Sequence, residues 1–388
     1  MSPQDSSKKL LAINFGGLGD EILFLPTLQT IKSQYPSYRI VMLTEPRGKG
    51  VSRLTDLIDD SLTFDIKKRP LLPGDYLALI GLLRGGAFDI VLSSGSSPNV
   101  AALLFLSGIR RRIGYGSNRL ASMLLSDPVP LNRNQHAAMM YHDLTCGLGI
   151  KAECARPAVV VRSEAVARMS DWLGRGQGAA EPAGSSRAGT GATVLLHPGT
   201  SLLALKKQIF KVWDPRNWAQ LIADFIKQAG VRVVLAGGPD DEATIQQIIA
   251  ALASNHADIA GGANGLFLNA YGKTATVEDL VALIDLSDLM VCVDSAPMHI
   301  GVGLGKPMVA LFGPTDPRKL LWNDPRFIAI RDPQAAAFYG DRDPFTQRPE
   351  HSATSPPAPY VLIPPDTVFQ TAMDQLHSTS SGSREFLR

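Results

Sequence analysis

Short apolar runs alternate with amphipathic stretches along most of this chain, and the alternation starts twice. Lys9 to Asn14 predicts a strand, Glu21 to Tyr35 a helix, Arg39 to Thr44 a second strand and Phe88 to Ser93 a third, with helix-like segments between them. This first half ends near Asp171-Trp172. The pattern resumes with a strand at Thr193 to Leu196, a helix from Trp218 to Ala229, a strand from Val231 to Ala236 and a helix from Asp241 to about Ala253. Val277 to Leu286 predicts a further helix, with strands at Leu289 to Val293 and Met308 to Phe312. Strands that are apolar along their whole length are buried on both faces, and regular strand–helix alternation builds a parallel sheet covered on both sides. The expected architecture is therefore α/β, with two Rossmann-like doubly wound parallel-sheet domains, 1–173 and 193–376, facing a cleft. Between them, 174–192 is rich in Gly, Ala and Ser and reads as a linker, while the polar end, 377–388, reads as a disordered tail.

Composition narrows the class. A chain of 388 residues suits two cores better than one. Hydrophobic content of 45% with 19% charged residues is that of a soluble globular protein. No apolar run approaches the roughly 18 residues of a membrane span. The polar start, Met1 to Lys9, has no signal-peptide core, and Cys146, Cys154 and Cys292 have no metal-like spacing, so a reduced, cytoplasmic protein is expected. The net charge of +2 hides an asymmetry: residues 1–175 carry 21 Lys+Arg against 15 Asp+Glu, and the remainder 17 against 21. Lys67-Lys68-Arg69 and Arg110-Arg111-Arg112 lie in the positive half, where they suit an anionic acceptor or a membrane surface, or are ordinary solvated charge.

The chemistry gathers at strand-to-helix turns. Asp294-Ser-Ala-Pro-Met-His299 follows an apolar strand and opens a helix, whose unpaired N–H groups and partial positive charge suit a phosphate. Phe15-Gly-Gly-Leu-Gly-Asp20 occupies the same kind of turn near the N-terminus, where Asp20 is either a helix cap or a working carboxylate. The third glycine of a dinucleotide fingerprint is missing, which disfavours nicotinamide binding. His197-Pro-Gly-Thr200-Ser201 can cradle a phosphate through N–H and O–H donors, with Lys206, Lys207 and Lys211 downstream as cations. Ala236-Gly-Gly-Pro-Asp240-Asp-Glu242 closes the next strand with acidic side chains suited to ribose hydroxyls or to helix capping. No Gly-x-x-x-x-Gly-Lys-Ser/Thr loop, His-Glu-x-x-His or Gly-x-Ser-x-Gly elbow occurs, and no metal site is expected.

Taken in order, these segments resemble the family 9 glycosyltransferases, the ADP-heptose:lipopolysaccharide heptosyltransferases. The resemblance rests on Phe15-Gly-Gly-Leu-Gly-Asp20 with Pro26 after it, His197-Pro-Gly-Thr200, Lys211-Val-Trp-Asp-Pro-Arg-Asn-Trp218, Val234-Leu-Ala-Gly-Gly-Pro239, Asp294-Ser-Ala-Pro-Met-His299 and Phe312-Gly-Pro-Thr-Asp-Pro317. It implies a GT-B fold, the acceptor held by the first domain and the nucleotide sugar by the second. It further implies an inverting transfer with Asp20 as base in a loop shaped by Gly17 and Gly19, and no cofactor beyond the donor. Donor contacts by the same resemblance are Thr200, Ser201, Lys211, Glu242, Asp294, Ser295, Met298 and His299, with Lys206 or Lys207 able to take the place of Lys211. The implied donor is ADP-heptose, and the acceptor an anionic glycan or glycolipid of lipopolysaccharide-core type. Peripheral contact with the cytoplasmic face of the inner membrane is compatible with this, and a nucleic-acid partner is not expected. A donor-binding module without transfer and a GT-B-shaped sugar-nucleotide epimerase are the competing readings. A carboxylate at Asp20 favours transfer over mere binding, and no separate acid/base set for epimerisation is found.

Overall fold

Val, Ile, Leu and Met fill the central strands of two parallel sheets, with glycine- and hydroxyl-rich turns where the strands end. In the computed structural model the described residues are 8–68, 72–175, 191–207, 209–261, 265–340 and 360–385. The chain divides into two compact units, Met1–Val160 and Val161–Arg388.

The first unit contains β1 (Lys9–Ile13), β2 (Arg39–Thr44), β3 (Asp60–Thr63), β4 (Ile90–Ser93), β5 (Arg111–Tyr115) and β6 (Asp127–Val129), in the sheet order β3-β2-β1-β4-β5-β6. All pairings are parallel, and the register sets Ala12 of β1 opposite Met42 of β2 on one side and Leu92 of β4 on the other. Helices α1 (Leu18–Gln34), α2 (Pro73–Gly85), α3 (Pro98–Leu106), α4 (Arg119–Leu124) and α5 (Ala137–His142) complete the unit. Leu11, Ile13, Val41, Leu43 and Val91 form one core cluster with Leu79 and Leu83 of α2, Leu103 and Leu104 of α3 and Ala121 of α4. Those three helices therefore make one layer. Right-handed crossovers running the other way across the sheet place α1 on the opposite face.

The second unit repeats the plan. Its strands β7 (Thr193–His197), β8 (Arg232–Leu235), β9 (Phe267–Asn269), β10 (Leu289–Val293), β11 (Met308–Phe312) and β12 (Phe327–Arg331) lie in the order β12-β11-β10-β7-β8-β9. Read from the other edge, this is the strand order of the first sheet. β7 and β10 adjoin, with Cys292 opposite His197. Trp213 and Trp218 are fully buried and meet edge to face at 5.0 Å, and Trp213 Nε1 donates to the Ile363 carbonyl at 2.8 Å. That anchor fixes the segment that carries Lys211.

Several sequence expectations shift. The strands β3, β5, β6, β9 and β12 are additions to the elements read from the pattern; β3 (Asp-Ser-Leu-Thr) is largely exposed and polar, and β6 and β9 span only three residues each. The Arg110-Arg111-Arg112 cluster runs into β5 rather than lying on a free surface. Arg111 donates to the Gly147 carbonyl at 2.7 Å, and Arg112 to the carbonyls of Ile109, Arg110 and Leu124. Only Arg110 of the three is exposed. The division between units falls before the helix Ser163–Arg175, not after it: Arg168 of that helix pairs at 2.7 Å with the buried Asp279 of Val277–Leu286. Most of the linker read at 174–192 lies outside the described residues, as do Arg69 and the segment 341–359. The tail read as disordered from His377 instead continues the helix Pro365–Glu385, because each residue added to an existing helix is cheap once the first turn has formed.

Candidate functional site

In an open α/β sheet, ligands bind beyond the carboxyl ends of the strands where the strand order reverses. The first sheet reverses between β1 and β4, the second between β7 and β10. The glycine-rich loop follows β1; His197-Pro-Gly-Thr200 follows β7 and Asp294 follows β10. The glycine-rich loop, the His197 motif and Asp294 thus sit at the switch points of their own sheets, while Ala236–Glu242 and Gly313–Pro317 follow the adjoining strands β8 and β11.

In the first unit the turn is closed by its own side chains. Asp20 stands at the third position of α1, and its Oδ2 accepts the Gly17 N–H at 2.9 Å. The helix-capping role is real, yet the residue remains exposed and Oδ1 faces the Tyr141 hydroxyl at 3.5 Å. One oxygen holds the loop while the other meets the tyrosine hydroxyl. Asn14 joins the two strands of the switch point: its Nδ2 donates to the Asp20 carbonyl at 3.2 Å and its Oδ1 accepts from Ser94 Oγ, just past β4, at 2.7 Å. Tyr141 is placed by α5, which is tied to α1 through Thr30 Oγ1 and His142 Nε2 at 2.9 Å. Burial, then the charge of Asp20, raises the Tyr141 phenol well above its ordinary value, so it donates rather than ionises. The glycine that this geometry requires is Gly16, where a Cβ would fall 2.1 Å from Asp20 Cβ. Gly17 is the cap residue with open space beside it, and Gly19 lies in the first turn of α1.

Glu21, the next residue, is fully buried. Burial, then the adjacent Asp20 charge, pushes its carboxyl well above the usual range. An acid with a raised folded pKa is held protonated, and unfolding releases that proton once the pH exceeds the free value of 4.5. The stability it allows is fully present below that pH and is lost as pH rises toward the folded pKa. Glu21→Gln should therefore equal the wild type near pH 4.5 and gain on it above, by up to about tenfold in the folding equilibrium per pH unit. Urea titrations at several pH values check this; parallel pH curves for the two proteins would contradict it.

In the second unit the centre is an ion pair. Asp294 and Lys211 are both buried, with Lys211 Nζ 2.6 Å from Asp294 Oδ2. Thr315 Oγ1, from the turn after β11, donates to the same oxygen at 2.6 Å. Burial alone would raise the Asp294 pKa, but the Lys211 charge, the two hydrogen bonds and the nearby His299 reverse that and hold the carboxylate below its ordinary range. His299 and Met298 are buried in the helix Ala296–Leu304; Ser295 stands just before it, its Oγ donating to the Val293 carbonyl at 3.4 Å rather than capping the helix. Thr200 is buried, whereas Ser201 is exposed and caps the short helix Leu202–Lys206, its Oγ accepting the Ala204 N–H at 3.3 Å. Lys206 and Lys207 are exposed at the end of that helix, so of the three lysines it is Lys211 that joins Asp294.

Glu242 is exposed at the head of Glu242–Asn255, and its neighbour Asp241 is the buried acid of the pair. Asp241 Oδ2 accepts the Gly238 N–H at 2.8 Å, and its carboxyl lies against Gly199, where a Cβ would come within 2.0 Å of Asp241 Cγ. Asp241 thereby locks the turn after β8 against the loop after β7, and burial lifts its pKa to about 6. Burial also lowers His197, the first residue of that loop motif, to about 4, so it is neutral at physiological pH. Sequence reasoning did not select Tyr141, Glu21, Asn14, Thr315 or Asp241. Thr315 and Asp241 lie inside motifs that the sequence shows, Phe312-Gly-Pro-Thr-Asp-Pro317 and Ala236-Gly-Gly-Pro-Asp240-Asp-Glu242, whereas Tyr141 has no local signal.

Two sheets with this shared strand order and a motif at each switch point define an α/β protein of the GT-B fold. The structure of Escherichia coli ADP-heptose lps heptosyltransferase II superposes with a TM-score of 0.70 at 19% identity, covering 96% of this chain and 99% of that one. A glycosyl transferase family 9 structure from Veillonella parvula superposes with a TM-score of 0.71 at 20% identity, covering 96% and 97%. The model of glycosyltransferase family 9 (heptosyltransferase) matches residues 76–336, and the chain belongs to that family. It is a glycosyltransferase. It is 26% identical over 308 residues to lipopolysaccharide heptosyltransferase 3 of Escherichia coli, covering 77% of this chain and 81% of that protein.

Proposed function

We propose that the protein transfers heptose, with inversion, from ADP-heptose to a lipopolysaccharide-core-type acceptor. The observation that carries this reading is the placement of Asp20, an exposed carboxylate whose Oδ2 secures the loop while Oδ1 is met only by the long 3.5 Å contact of the Tyr141 hydroxyl. In this reading Asp20 takes the proton of an acceptor hydroxyl as its oxygen attacks the anomeric carbon. The bond from that carbon to the diphosphate breaks, and the electron pair leaves with the nucleotide. Backbone N–H groups, Thr200, Ser201 and one lysine, Lys211 or in its place Lys206 or Lys207, meet the departing charge, with no cofactor beyond the donor itself. Asp294, held by Lys211 and Thr315, contacts the donor sugar, with Ser295, Met298 and His299 shaping that wall and Glu242 reaching the ribose. Similarity to an ADP-heptose lps heptosyltransferase and to a lipopolysaccharide heptosyltransferase supports the donor and the acceptor class. A lipid-linked acceptor would be met by peripheral contact at the cytoplasmic face of the inner membrane; no helix among the described residues is long and apolar enough to cross a membrane. The test is ADP release from ADP-heptose with and without a delipidated core acceptor. Acceptor-dependent release with β-to-α or α-to-β inversion in the product is expected; donor binding without release would favour a binding module and defeat this reading.

A further inference from the structure

The layer formed by α2, α3 and α4 turns an unusual surface outward. Its inner side supplies Leu79, Leu83, Leu103, Leu104 and Ala121 to the core of the first unit. The outer side is also apolar: Leu77 is 69% exposed and Leu72 56% on the α2 side, Phe105 51% and Leu106 50% on α3, and Leu120 55% and Met123 73% on α4. Helix α3 (Pro-Asn-Val-Ala-Ala-Leu-Leu-Phe-Leu) has no charged residue at all. A helix packed on one side and washed by water on the other normally carries polar residues on its outer stripe. Isolated exposed apolar residues are commonplace, but a cluster spread over three neighbouring helices marks an interaction surface.

The charge around the cluster says what it meets. Residues 72–125 contain five arginines (84, 110, 111, 112 and 119) against two aspartates (75 and 89). Both aspartates are occupied, Asp75 with the Leu72 N–H at 2.8 Å and with Lys68 at 3.6 Å, Asp89 with the Lys9 N–H at 2.8 Å. Arg84, Arg110 and Arg119 are exposed. Arg84 links two of the helices by donating to the Leu106 carbonyl at 2.8 Å, and Arg112 stacks over the Phe105 ring at 5.5 Å. Large apolar side chains among exposed arginines match the headgroup and upper acyl region of an anionic bilayer, where the apolar groups insert and the arginines pair with phosphates. Pairing this face with a second copy of itself would set arginine against arginine, which disfavours a two-fold interface.

We propose that the outer face of α2, α3 and α4 docks on the surface of an anionic lipid bilayer. The purpose of such docking rests on the reading of a lipid-linked acceptor, while its test reads binding alone. Full-length protein is sedimented with vesicles of phosphatidylglycerol and phosphatidylcholine, and with phosphatidylcholine vesicles alone. Binding is expected on the anionic vesicles, falling with added salt. The double variants Leu77→Glu/Met123→Glu and Arg110→Glu/Arg119→Glu should each lower the partition by about tenfold or more. All four substitutions fall on exposed side chains, so transfer to a delipidated acceptor should be unchanged, which separates this proposal from the catalytic one. No partition of the wild type onto anionic vesicles, or equal partition of wild type and both variants, overturns the proposal. So does gel filtration showing a dimer that Leu77→Glu/Met123→Glu splits, since the face would then be an interface between copies.

Discussion

Asp20→Asn should bind ADP-heptose as the wild type does and lose at least about a hundredfold in kcat. The amide keeps the size of the carboxylate, and its oxygen can still accept the Gly17 N–H that closes the loop. What disappears is the ability to accept a proton, together with the charge at the start of α1, whose loss costs about 0.3–1 kcal/mol of stability. Isothermal titration with the donor and initial rates of ADP release separate the two effects. A variant that turns over within a few-fold of the wild type would remove Asp20 from the role of base. A second readout follows from the raised pKa of Tyr141: with the Asp20 charge gone, one of the forces that lifts the phenol is lost. The ionisation of Tyr141 should move down in Asp20→Asn, and ultraviolet titration of the tyrosines can follow it.

Asp294→Ala should cost about 3–5 kcal/mol of stability, because it leaves the Lys211 ammonium buried without the Asp294 carboxylate. The pair is nearly sealed from water, at 2.6 Å, so the lysine cannot simply turn outward to be hydrated. Lys211→Met combined with Asp294→Leu removes both charges and should recover most of that loss, while still failing to hold the donor. Urea unfolding of the two variants decides it; a single variant as stable as the wild type would show that the buried pair contributes nothing. The pH dependence has a fixed sign. Asp294 has a lowered folded pKa, so its contribution is present above the free carboxylate value and is lost as pH falls through the folded one.

Where burial and sequence pattern agree, the fold was legible almost to the residue. The strands at Arg39–Thr44, Leu289–Val293 and Met308–Phe312 and the helix Val277–Leu286 have the bounds their apolar spacing predicts. The missed strand β3 is polar and exposed, and Arg111 and Arg112 at the head of β5 read as solvated charge until their guanidinium groups are seen on carbonyl oxygens. The site divides in the same way. Asp20 and Asp294 lie at strand-to-helix turns that local pattern can find. Their partners are set by tertiary folding: Tyr141 stands 121 residues from Asp20, and Lys211 83 residues from Asp294. Thr315 and Asp241 likewise acquire their roles only when separate turns meet at a sheet edge.

The way β5 spends its arginines changes how charge reversal in this region must be read. Arg111 and Arg112 act as rivets that fasten loop carbonyls, while Arg110 beside them is left to the solvent. Reversing all three together would spring those fastenings, and the resulting loss of any anionic ligand would be a scar of misfolding. Only the outermost arginine of the triplet reports on the surface it decorates.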